Sequence, residues 1–154
     1  MSEGDHTAPV VRQGDLIREI ASLLPQRVEG EWMELLFLDN RLSMVADGAL
    51  SVTFYDGTSG EAFPPREISG LLKELREVMY SQGSGTWLSA TFRVVREASG
   101  ETSANASFNY DEEPEWYFSV DPVQYALDLE DFPRDEENIP DWLRDRLSEA
   151  KRKS

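Results

Sequence analysis

Apolar residues recur along the chain at two periods. Leu16, Ile17, Ile20, Leu23 and Leu24 follow steps of one and three, which predicts an amphipathic helix over Asp15–Leu24 that Pro25 stops. Ile68, Leu71, Leu72, Leu75, Val78 and Met79 form the cleanest stripe, preceded by Pro64-Pro65. Lys73, Glu74, Arg76 and Glu77 fill its other face, and Gly83 and Gly85 supply the exit. Such a stripe is expected to be core. Asp121-Pro122 reads as the cap and first turn of a short helix through Leu129, ended by Phe132-Pro133. Pro140 and Asp141 open a last helix carrying Trp142, Leu143 and Leu147. Its acids come early and Lys151, Arg152 and Lys153 late, which suits the helix dipole.

Elsewhere the pattern is that of strands. Residues 30–38 are rich in large apolar groups, and Asp39-Asn40 reads as a turn. Residues 41–46 and 49–55 flank Asp47-Gly48, a hairpin cue; Asp56-Gly57 and Ser59-Gly60 then end the block. Trp87, Ser89, Thr91, Arg93 and Val95 alternate with Leu88, Ala90, Phe92, Val94 and Arg96. Ala98-Ser99-Gly100 connects that strand to a second one over 101–110. Parallel strand–helix–strand alternation is missing. The expected fold is therefore α+β: a twisted antiparallel sheet of about five strands with helices packed on one side.

At 154 residues the chain is long enough for one domain with a real core. No internal repeat or sharp boundary cuts it, so a single domain over 14–150 is expected behind a mobile segment, 1–13. Thirty acidic residues against fifteen basic give a net charge of −15. This argues against DNA, RNA or an anionic membrane as direct partner and favours a cationic one, or simply solubility. Cysteine is absent, which removes disulfides, thiolate catalysis and Cys-ligated metals. The one histidine, His6, lies in a small, polar stretch and is expected to be solvated, so a Ser-His-Asp triad or a His-based zinc site has no basis. No secretory pattern and no run of about 20 apolar residues is present, which makes a cytoplasmic protein the default expectation.

Of three candidate chemistries, two fail on inspection and the third stays a weaker alternative. Gly83-Ser84-Gly85 resembles a phosphate loop, but helix precedes, strand follows, and Leu88 takes the third glycine position. Asp128-Leu-Glu130-Asp131 resembles a calcium loop. There Phe132 falls on a ligand position, Pro133 on the turn glycine and Ile139 on the bidentate acid. Paired carboxylates are so common that no pair is informative. Glu112, Glu113, Glu115 and Trp116 keep a carboxylate-based hydrolase as the weaker alternative. No catalytic residue, metal site or cofactor is expected.

Distribution says more than composition. From Asp111 to Glu149 there are 14 acidic residues against Arg134, Arg144 and Arg146. Trp116, Tyr117, Phe118, Tyr125, Phe132 and Trp142 are interleaved with them. Several of these aromatics must be core and their acidic neighbours a solvated face. A carboxylate field around aromatic anchors is also how a tight binder of a cationic surface is built: the acids speed encounter, the aromatics hold. Asp111, Glu112, Glu113, Trp116, Asp128, Glu130, Asp131 and Asp135 are the expected partner-binding residues, with Trp116 as anchor.

The run Gly85-Thr86-Trp87-Leu88-Ser89-Ala90, followed by Phe108-Asn109-Tyr110-Asp111-Glu112-Glu113-Pro114, resembles the YezG-like family of antitoxin or immunity proteins, its actinobacterial branch above all. Tyr125 to Asp135 and Ile139-Pro140-Asp141-Trp142-Leu143 continue the pattern, and the helix over 71–80 also fits. The resemblance covers about residues 30–148 and is strongest after 64. It implies a cognate inhibitor of a polymorphic toxin, typically a nuclease, and supplies no catalytic residues. A non-toxin module for another basic protein is the other reading.

Overall fold

The computed structural model describes residues 8–153. It shows an α+β fold: one five-stranded antiparallel sheet with helices on one side. The helices are α1 (Pro9–Leu23), α2 (Glu67–Val78), α3 (Val123–Asp131) and α4 (Asp141–Lys153). The strands are β1 (Trp32–Arg41), β2 (Ala46–Phe54), β3 (Ser59–Ala62), β4 (Ser89–Arg96) and β5 (Thr102–Asn109), in the spatial order β3-β2-β1-β4-β5.

The chain forms two compact units. One takes in residues 8–37 with Ala49–Met79 and Thr91–Ser107; the other is Leu38–Gly48, Tyr80–Ala90 and residues 108–153. In the first unit the period-two pattern is visible as burial. Leu35, Phe37, Leu50, Val52, Phe92 and Val94 are buried, while Leu36, Ser51 and Arg93 between them point outward. Leu16, Ile20 and Leu24 from the N-terminal helical segment and Ile68, Leu72 and Leu75 of α2 complete this core. Arg12 of α1 joins Glu74 of α2 at 2.7 Å. Arg76, assigned by the pattern to the solvent face of α2, is instead buried.

Several boundaries differ from the expectation. Helix α1 starts at Pro9 rather than Asp15, because proline at a helix start loses no hydrogen bond; Leu24–Arg27 then adds a 3-10 turn around Pro25. Residues 9–13, expected in the N-terminal segment, are thus the first turns of α1, while His6 lies outside the described residues. Asp39-Asn40 does not end a strand, since β1 runs on to Arg41. The turn falls at Leu42–Val45, closed by Leu42 N–H donating to the Val45 carbonyl at 2.8 Å, and Asp47-Gly48 lies inside β2. The next hairpin turns at Asp56-Gly57, where Gly57 has φ +89° and the Asp56 carboxylate accepts from Thr58 N–H and Oγ1. Ser59-Gly60, expected to close the block, belongs to β3, with Val52 opposite Gly60.

Candidate functional site

The second unit holds the acidic stretch. Its core is Leu42, Leu88, Tyr125 and Leu143, with Trp116, Val120, Leu129, Ile139, Trp142 and Leu147 packed around them. Helices α3 and α4 meet through the Tyr125 and Trp142 rings, edge to face at 5.5 Å. The Trp142 indole N–H donates to the Asp111 carbonyl at 2.7 Å. Asn109 closes the turn after β5: its Oδ1 accepts from Asp111 and Glu112 N–H, and its amide donates to the Glu112 carbonyl and Ser89 Oγ.

The cations of the stretch are turned to internal tasks. Arg134 has a side chain only 2% exposed; it donates to the carbonyls of Thr86, Tyr110 and Asn138 and lies 3.5 Å from an Asp111 oxygen. Arg144 donates to the Glu136 carbonyl. Arg146 grips Glu113 with two hydrogen bonds, 2.8 and 3.0 Å, and reaches Glu149 at 3.1 Å. Its guanidinium is held well above the usual arginine range, chiefly by the Glu113 hydrogen bond.

This division sorts the eight candidate residues. Asp128 is buried, 4% exposed, and its carboxylate accepts from the Ser43 backbone N–H at 2.8 Å and from Ser43 Oγ at 3.0 Å. It fixes the β1–β2 turn and is no part of an exterior charge field, which corrects its assignment as a contact residue. Glu113 is half-buried under Arg146, and Trp116 half-buried with its indole N–H given to the Tyr125 hydroxyl at 2.9 Å. Both are scaffold rather than free contacts. Asp111, Glu112, Glu130, Asp131 and Asp135 are exposed, and Asp111 is 76% so despite its distant pairing with Arg134.

Of the aromatics interleaved with the acids of this stretch, two outside the candidate list are exposed. Tyr117 is 64% and Phe118 50% exposed. The backbone beneath them is pinned: Asn40, itself buried, donates to the Glu115 carbonyl at 3.1 Å, and the Asp47 carboxylate accepts from Tyr117 N–H at 2.8 Å. Asn40 also donates to Asp47, which ties the two pins together. The run Trp116-Tyr117-Phe118 carried the signal, since three consecutive aromatics cannot all face one core.

A shallow cleft of about 420 Å³ opens beside this loop, walled by Trp116, Phe118, Val120, Tyr125 and the Glu113–Arg146–Glu149 triad. The Tyr125 hydroxyl is pushed up to about 12, first by burial and then by the Glu113 charge, against the Trp116 hydrogen bond that lowers it. Glu113 and Glu149, both in the wall of the cleft, share the Arg146 guanidinium. Among the described residues, no three His, Asp or Glu groups converge as for a metal ion, and no helix is long and apolar enough to cross a membrane. No family model matches the chain, and no curated protein matches it.

Proposed function

We propose that the chain is an immunity protein that binds a cognate toxin domain, a basic nuclease, in the cytoplasm of the producing cell and blocks it stoichiometrically. Support comes first from the three arginines of the acidic stretch. Arg134, Arg144 and Arg146 are all committed to carbonyls or carboxylates of their own unit. They are held within their own unit, while Glu112, Glu130, Asp131 and Asp135 face solvent and outnumber them. Nucleases carry cationic grooves for phosphates, and an outward field of carboxylates speeds docking on such a groove and competes with the nucleic acid. The motif resemblance points the same way. Purified protein titrated against the toxin domain encoded beside it should abolish toxic activity near a 1:1 ratio. Undiminished activity at equimolar protein overturns the reading.

A further inference from the structure

We infer that the Tyr117–Phe118 loop is a docking knob for an arginine side chain of the partner, held over the aromatic faces and drawn in by the flanking acids. The inference rests on the reading of a cationic partner given above and names the contact that such a partner makes.

Three observations meet at this loop. Two large aromatics stand out from a pinned backbone, one of its pins being the buried Asn40. Exposed apolar groups on rigid backbone suit a binding hot spot, because ordering cost has been met before the partner arrives. The Phe118 ring is also braced from behind, 6.2 Å from Trp116, whose own N–H is fixed on Tyr125. Finally, Glu115 and Asp121 bracket the loop in sequence and both are exposed.

Charge complementarity selects a cation, and the aromatic faces select its type. A guanidinium is planar, weakly hydrated and stacks on rings, whereas an ammonium keeps its water. An apolar partner segment would have to desolvate the surrounding carboxylates, and an anion would meet them directly. The chain itself holds such a contact, where the Arg96 guanidinium lies over the Trp32 ring, 4.3 Å from its centroid.

The test uses the full chain and two labelled nonapeptides of equal charge, all-arginine and all-lysine, at low salt. The arginine peptide should bind roughly fivefold more tightly than the lysine peptide. Tyr117→Ala with Phe118→Ala should abolish that preference and leave the lysine peptide's affinity unchanged. Phe118→Leu, which keeps apolar bulk against Trp116 but removes the ring, should reduce the preference with an unchanged circular dichroism spectrum. Equal affinity for the two peptides, or a preference that survives both changes, overturns the inference. Failure of the immunity reading shows separately, as an undiminished toxin in the presence of a protein that still prefers arginine.

Discussion

Arg134 lies against Gly85 so closely that a Cβ added there would stand 2.6 Å from Nε and 2.8 Å from Cγ. Gly85 also has φ +83°, where side chains are strained. The glycine that resembles part of a phosphate loop is thus there for a buried arginine to pass over. Gly85→Ala is expected to lower stability by about 2–3 kcal/mol in denaturant unfolding. Gly100→Ala, with φ +97° and open space around it, should cost only about 1–2 kcal/mol. Equal losses at the two sites would show that the arginine yields freely.

Arg134→Lys tests the same contact from the other side. The guanidinium fork serves three carbonyls at once, and a single ammonium cannot reach all of them. Each buried carbonyl left without a donor costs about 1–3 kcal/mol, so the exchange should lose about 3 kcal/mol despite the retained charge. The unfolding midpoint reads it directly.

Tyr125 gives stability a dependence on alkaline pH. Its phenol ionises at about 12 in the folded chain, against an ordinary value near 10. A raised pKa means that the unfolded chain gives up this proton first. Its contribution is therefore complete below pH 10 and lost as pH rises through 12. Between pH 9.5 and 11.5 the wild type should lose more stability than Tyr125→Phe, a comparison that cancels the other tyrosines. Parallel slopes for the two proteins would count against the burial of this hydroxyl.

The fold class was legible because periodicity reports burial directly. Leu35 and Phe37, Phe92 and Val94, and Ile68, Leu72 and Leu75 all lie inside, as their spacing requires. What local signals missed was decided by contacts distant in sequence. Asp47-Gly48 looks like a turn, yet Gly48 is absent from the glycines with positive φ, and Asp47 spends its carboxylate on Asn40 and on Tyr117, 70 residues away. Gly57, at φ +89°, carries the nearby hairpin instead. The same limit applies to the acids. Nothing local distinguishes Asp128, buried on Ser43, from Glu130 two residues on, which faces water.

That distinction separates two classes of charge change. Glu112→Lys and Glu130→Lys alter only the exposed field, so association with a basic toxin domain should slow severalfold at low ionic strength while unfolding is unchanged. At about 1 M salt, where screening acts within about 3 Å, the difference should vanish. Asp128→Ala removes the acceptor of two Ser43 donors and should cost about 1–3 kcal/mol of stability with little effect on association rate. Glu113→Gln weakens the half-exposed clamp on Arg146 and should cost about 1 kcal/mol. Stopped-flow association with the four variants, set beside their unfolding curves, places each acid in one class. If Asp128→Ala slowed encounter as much as Glu130→Lys, the field would be set by total charge alone and not by which carboxylates reach the surface.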